Sequence, residues 1–235
     1  MNNYRLIAMI PARMGSRRIK KKNIRYMLDK PLIKYPIDFA INSNRFESIW
    51  INTESEELGI ACEKFGARFH RRPAELASDK ATNRDFVYEF LKKHDCDYVI
   101  MINPTSPALR QETVNAFIDN VQNNDYDTIM SVIHSQTEAI YKGTKINFDG
   151  SDKIPTEQLE PIEEIVGAMI AWKKSTFISL QESGKCPVFG GKMGTFAIPK
   201  DEAADIDNEE DWRIAEGILL SRTLGKNENI KYMDI

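Results

Sequence analysis

Five consecutive apolar residues, YVIMI at Tyr98–Ile102, leave no side of that segment fit to face water. A strand sends alternate side chains to opposite faces, so one that is apolar on both must lie inside a sheet covered from above and below. Elsewhere apolar runs alternate with helical periods. Further strands are predicted at residues 5–10, 48–52, 68–71, 128–133, 165–172 and 195–198. Helices are predicted at 32–43, 55–65, 83–94, 113–122 and 209–220. This order reads as βαβ units, hence an α/β fold of three layers around a mainly parallel sheet. Pro36 sits awkwardly inside the first helix and leaves its first turn unsettled, and Gly66 stops the second. The pattern loosens between residues 135 and 164, where a hairpin around Asp149-Gly150 suggests a small inserted lobe or dimer contact. A chain of 235 residues, 42% hydrophobic, suits one domain carrying such a lobe.

The formal net charge is −3, yet residues 7–23, IAMIPARMGSRRIKKKN, hold Arg13, Arg17, Arg18, Lys20, Lys21 and Lys22 with no acid. In an open α/β sheet, ligands bind beyond the carboxyl ends of strands, and the loop after the first strand is the usual phosphate position. Gly15 and Ser16 allow close backbone approach and present N–H groups, while the cations supply charge for a polyphosphate. A solvated basic surface loop is the plainer reading, but the position directly after the first strand favours binding. The loop is neither a Walker sequence nor GxGxxG, so the P-loop ATPase and dinucleotide readings lose support.

Other classes recede for separate reasons. Overall acidity argues against a nucleic-acid partner, which needs a broad basic surface. No segment approaches the roughly 18 apolar residues of a membrane span, and the N-terminus lacks the run and cleavage site of a secretory signal. Cys62, Cys96 and Cys186 lie far apart, which fits a reducing, cytoplasmic setting. His70, His94 and His134 lack metal-ligand spacing and read as surface or packing residues. Ser16, Thr105 and Ser106 have no triad setting. Trp50, Phe86, Phe90, Met101, Phe117 and Met130 follow core patterns, and Trp172 closes a strand.

Several ordered motifs make a family resemblance specific. Pro11-Ala12-Arg13, Gly15-Ser16, Arg18-Ile19 and Lys22-Asn23 are followed by Lys30-Pro31-Leu32-Ile33 and by Arg72-Pro73-Ala74-Glu75-Leu76-Ala77-Ser78-Asp79. Then come Pro104-Thr105-Ser106-Pro107 and Asp205-Ile206-Asp207, with Glu210-Asp211-Trp212 behind. Together they resemble the acylneuraminate cytidylyltransferases, the CMP-sialic acid synthetase family, over about residues 5–133 and 165–220. The resemblance implies a nucleotidyltransferase (Rossmann-like) sheet and a homodimer. It implies transfer of CMP from CTP to an acidic 2-keto-3-deoxy sugar, with release of pyrophosphate.

By that resemblance Arg13 and Lys22 hold the triphosphate, and Lys22 stabilises charge at the α-phosphate. Ala12, Gly15, Ser16 and Asn23 belong to the same nucleotide site. Arg72, Ala81, Thr82 and Asn83 match the segment around cytosine and ribose. Asp205 and Asp207 would carry Mg²⁺, a hard ion suited to carboxylates shared with phosphate oxygens. If the segment is extended, both carboxylates point one way and Ile206 the other. Asp207 also reads as a helix N-cap with Glu210 three residues on, and the two roles can coexist. The sugar hydroxyl's proton would pass to a carboxylate of that pair or to metal-bound hydroxide.

Departures from the family fall on the acceptor side. Asn103 stands where Gln usually precedes Pro-Thr-Ser-Pro, and Val166-Gly167-Ala168-Met169 lacks the usual Asn. With Thr105, Ser106 and Gln158 as further acceptor contacts, and Tyr141 and Lys142 beside them, the acid is open among nonulosonates, octulosonate or another anion. Lys20 and Lys21 stand where members often have Pro and Gly. Alternative readings are another sugar nucleotidyltransferase, an Asp-x-Asp glycosyltransferase and a non-catalytic nucleotide-binding protein. The late position of Asp-x-Asp and the basic loop count against the glycosyltransferase.

Overall fold

A computed structural model describes residues 3–224 and 233; the unassigned tail from Gly225 otherwise lies outside the described residues. Chain order begins β1 (Leu6–Pro11), β2 (Tyr26–Met27), β3 (Lys30–Pro31), α1 (Lys34–Ser43), β4 (Ser48–Thr53), α2 (Glu56–Glu63), β5 (Arg68–Arg71) and α3 (Asn83–Lys93). It continues with β6 (Tyr98–Ile102), α4 (Gln111–Asn123), β7 (Thr128–Ser135), β8 (Ile140–Tyr141), β9 (Thr144–Lys145), β10 (Ile162–Lys173), α5 (Lys174–Glu182), β11 (Met193–Ala197) and α6 (Glu209–Thr223). The main sheet has seven strands in the order β11-β7-β10-β6-β1-β4-β5. All its pairs are parallel except those of β10, which runs antiparallel to β6 and to β7.

Every residue of β6 is at most 2% exposed, which is the two-sided burial its sequence demands. Tyr98, Ile100 and Ile102 pack with Val114, Phe117, Ile118 and Val121 of α4. Val99 and Met101 turn the other way, onto Phe86, Val87, Phe90 and Leu91 of α3 and Phe177 of α5. Each such side chain stabilises the fold by roughly 1.5–3 kcal/mol, so this central strand alone anchors both outer layers. Trp172 belongs to the second cluster, fully buried, with its Nε1–H donated to the Val188 carbonyl at 3.1 Å.

Some expectations need correction. The hairpin of the inserted region is β8–β9, turning at Lys142-Gly143 and not at Asp149-Gly150. Lys142 has φ 48° and Gly143 φ 82°, the pair of positive angles that a tight two-residue hairpin turn requires. Asp149 instead uses its carboxylate locally, accepting the Ser151 N–H at 2.7 Å. Helix α1 starts at Lys34, two residues later than predicted, so Pro36 falls in its first turn, where a missing N–H costs nothing. Helix α5 was not anticipated, because Phe177 is its one buried residue and the apolar period is faint.

Lys21 adopts φ 53°, the left-handed region, just before the 3₁₀ turn Lys22–Ile24. A side chain there is strained, and glycine is not. Lys21→Gly is therefore expected to raise stability by about 1 kcal/mol, read from chemical denaturation. No change, or a loss, would mean that Lys21 makes contacts outweighing the strain.

His70 and His94 are packing residues, but as a bonded pair: Nδ1 of His70 lies 2.8 Å from Nε2 of His94, and its Nε2 lies 2.8 Å from Glu89 Oε2. Burial pulls both imidazoles down, opposed at His70 by the Glu89 hydrogen bond, and His94 reaches about 4. A folded value below the unfolded one of about 6.5 contributes stability that is full above pH 6.5 and lost as pH falls toward 4. The loss attributable to His94 is roughly 3 kcal/mol. Thermal denaturation across that window should show it, and His94→Gln should flatten the acid limb. An equally steep limb in the variant would remove His94 as the cause.

Candidate active site

The cleft opens at the carboxyl ends of β1, β5 and β6. These flank the point where strand order reverses, since the chain builds β4 and β5 on one side of β1 and then β6 on the other. The loop after β1 contributes Arg13, Ser16, Lys22 and Asn23, and the loop from β5 to α3 contributes Arg72 and Asn83. Asn103 and Thr105 follow β6, and Asp207 comes from the segment before α6. Arg17, Arg18, Ile19 and Pro104 complete much of the lining.

Residues nearly two hundred positions apart meet because of one apolar cluster. Ile19 from the basic loop packs with Met27, Leu32, Tyr35, Ile206, Trp212 and Ala215. Ile206 is fully buried there, while Asp205 is exposed and Asp207 half-buried, which is the alternation expected of an extended segment. The Ile206 N–H donates to the Thr105 carbonyl at 2.9 Å, tying this segment to the loop after β6. Lys22 Nζ donates to the Ile206 carbonyl at 2.5 Å. Burial lowers the Lys22 ammonium from its ordinary value, and Asp207 and then Asp205 oppose that; Arg18 and Arg13 add to the lowering.

Arg72 is 5% exposed, with Nε donated to Asn52 Oδ1 at 2.6 Å and Nη2 to the Asn52 carbonyl at 2.7 Å. Its guanidinium sits 4.4 Å over the Phe86 ring. Burial pushes it down to about 10, so it stays charged at neutral pH. Asn23, also 5% exposed, donates Nδ2–H to the Arg13 carbonyl at 2.9 Å and fixes the course of the basic loop.

Asp207 does not cap α6. Asn208 does, its side chain accepting from Glu210 and Asp211 N–H groups, while Asp211 closes the capping box in place of Glu210. The Asp207 carboxylate is left to Arg18, whose Nη2 lies 2.6 Å from Oδ1. Among the described residues no three His, Cys, Asp or Glu side chains group as a metal site. Two carboxylate residues are nonetheless a fitting donor set for an ion that takes its remaining oxygens from phosphate and water.

Other predicted residues stand outside the lining. Ala12 is buried and donates its N–H to the Asn52 carbonyl at 3.0 Å. Gly15 is exposed with open space about it, so nothing in this structure requires a glycine there. Ala81 and Thr82 adjoin Asn83, and Thr82 forms a capping box with Asp85 at the start of α3. Ser106 is buried, its N–H donated to the Asn103 carbonyl at 3.2 Å. Gln158, Tyr141 and Lys142 lie in the inserted region. Two acids beside the cleft were not foreseen. Glu54 Oε1 accepts the Met14 N–H at 2.8 Å, and Asp79 holds Arg13 and Arg17. Asp79 was visible only as part of a motif; Glu54 gave no signal.

A family model described as Cytidylyltransferase matches residues 7–148. The chain belongs to that cytidylyltransferase family. It is 28% identical over 218 residues to N-acylneuraminate cytidylyltransferase A of Danio rerio, covering 91% of this chain and 50% of that protein. It is 28% identical over 219 residues to the N-acylneuraminate cytidylyltransferase of Escherichia coli O18:K1:H7, covering 90% and 51%. The chain thus spans about half the length of these curated relatives. A CMP:2-keto-3-deoxy-manno-octonic acid synthetase complexed with CTP shares the fold, at TM-score 0.67 and 14% identity over 93% of this chain and 99% of that one.

Proposed function

We propose that this cytidylyltransferase transfers CMP from CTP to the anomeric oxygen of an acidic 2-keto-3-deoxy sugar, releasing pyrophosphate. The observation that carries the reading is the meeting of Arg13, Lys22 and Arg72 with Asp207 in one cleft at the carboxyl ends of β1, β5 and β6. An oxygen attacking the α-phosphorus expels a highly charged group, so the protein's work is to position both reactants and neutralise charge. Lys22, partly desolvated, faces the α-phosphate; Arg13 holds the β,γ-phosphates; Ser16 and Asn23 orient the chain of phosphates. The cytosine and ribose lie toward Arg72 and Asn83. Asn103 and Thr105 face the acceptor, and Ser106 and Gln158 act at that side only through movement of their loops.

Asp205 and Asp207 would hold Mg²⁺, which supplies charge neutralisation for phosphate oxygens. Arg18 must then leave Asp207. The reading extends to a homodimer, supported by Ile140, Tyr141, Ile146 and Ile165, apolar side chains exposed on or beside the inserted region. Light scattering that gave a monomer would contradict it. A cytoplasmic location fits the cysteines, and no described helix is long and apolar enough to cross a membrane. The decisive experiment offers each of the four nucleoside triphosphates with Mg²⁺ and a panel of keto-sugar acids, and measures pyrophosphate. Release should depend on CTP and on one acidic acceptor; none with any acceptor would end this reading.

A further inference from the structure

The loop from β5 to α3 lines the cleft at both its ends, through Arg72 and Asn83, and carries in its middle an acid that the proposed reaction does not use. Asp79 Oδ1 accepts from Arg13 Nη1 at 2.8 Å, and Oδ2 pairs with Arg17 Nη2 at 2.5 Å. Arg13 Nη1 also reaches the Ala77 carbonyl at 3.4 Å. One carboxylate therefore bridges two guanidinium groups of the basic loop, both of which line the cleft. Two oxygens of one anion set between two arginines is also how a phosphate would be held there.

We propose that Asp79 is a built-in competitor for the polyphosphate: it latches the β5–α3 loop onto the basic loop, and an incoming triphosphate or pyrophosphate must displace it from Arg13 and Arg17. The inference rests on reading the cleft as a polyphosphate site. The latch is weak by construction. The side chains of Asp79 and Arg13 are 40% and 39% exposed, and that of Arg17 is 82% exposed, so solvent screens both pairs. A multiply charged anion outcompetes a single carboxylate, whereas a monovalent one does not. Opening the latch loosens only the stretch between Arg72, which stays pinned to Asn52, and Asn83, the first residue of α3. Asp79 thereby lowers affinity for every polyanion, including the pyrophosphate product, and favours its release.

Calorimetric titration with inorganic pyrophosphate tests this without acceptor or turnover. Asp79→Asn should bind pyrophosphate roughly three- to tenfold tighter than wild type, and CTP tighter by a similar factor. The gain should shrink when Arg17→Gln is added, since one of the two released cations is then missing. In the wild-type protein, pyrophosphate should speed amide exchange across residues 73–82, a readout that does not depend on the variant folding. Equal or weaker pyrophosphate binding by a folded Asp79→Asn protein would overturn the latch. So would weakened CTP binding with pyrophosphate unchanged, which would make Asp79 a brace for the base-side loop. Wild-type protein that binds neither pyrophosphate nor any nucleoside triphosphate would overturn the functional reading as well.

Discussion

Asp207→Asn is expected to abolish turnover and leave the fold almost untouched. The substitution keeps the side chain's shape and removes its charge. Its structural cost is small for two reasons. The Arg18–Asp207 pair has both side chains about half exposed or more, at 66% and 47%, so its loss costs under about 1 kcal/mol. The cap of α6 is built from Asn208 and Asp211 and does not draw on the Asp207 carboxylate. The functional cost is large if Asp207 helps neutralise the triphosphate. Losing several kcal/mol of charge stabilisation in the transition state corresponds to a rate loss of roughly a thousandfold or more. Pyrophosphate release measured over a range of Mg²⁺ concentrations, beside a denaturation curve, separates the two effects. Turnover near wild type would leave Asp207 as nothing more than Arg18's partner. A large drop in stability would show that the extended segment depends on that carboxylate to fold.

The sequence made the framework legible where one physical requirement dominated. YVIMI could only be an inner strand, and the distribution of its residues between the α4 cluster and the α3–α5 cluster is that requirement made visible. The basic loop was legible because six cations without an acid, directly after a first strand, are hard to place otherwise. The compensation of those cations was not legible. Arg13 and Arg17 find Asp79 and Arg18 finds Asp207, each partner at least 62 positions away in the chain. Such pairings depend on tertiary contacts that no local period encodes. The antiparallel course of β10 escaped for a related reason. An inner strand reads as apolar in either direction, and its reversal follows from where residues 136–161 return the chain. Its register shift between Ile165 and Ile170 centres on Ser131 Oγ, which accepts the Met169 N–H at 3.0 Å and donates to the Val166 carbonyl at 2.7 Å. That bulge sets Ala168 against Asn103, whose N–H donates to the Ala168 carbonyl at 2.9 Å. The two departures from the family pattern on the acceptor side are therefore neighbours in space.

Lys22→Met should be the other severe lesion, and for a distinct reason. Asp207 lies toward the solvent-exposed side, whereas Lys22 is partly buried, its ammonium held by the Ile206 carbonyl and opposed by desolvation. Replacing it with an apolar side chain of similar length removes a poorly solvated charge, so stability should hold within about 1 kcal/mol or rise slightly. The Ile206 carbonyl loses a donor, but the Ile206 N–H keeps its bond to Thr105 and the apolar cluster around Ile206 is unchanged. Turnover should fall by roughly a hundred- to a thousandfold, the scale for removing one group aimed at oxygens that gain charge in the transition state. A fall confined to kcat would place the lost interaction at the transition state, while a rise in KM alone would place it in ground-state binding. Lys22→Arg should recover little, because a planar guanidinium cannot present a compact charge at the same point beside Arg18 and Arg13. If Lys22→Met retained most of its turnover, the α-phosphate would have to be neutralised by Arg13 and Arg18 instead, and Lys22 would be structural, a tie between the basic loop and the Ile206 carbonyl.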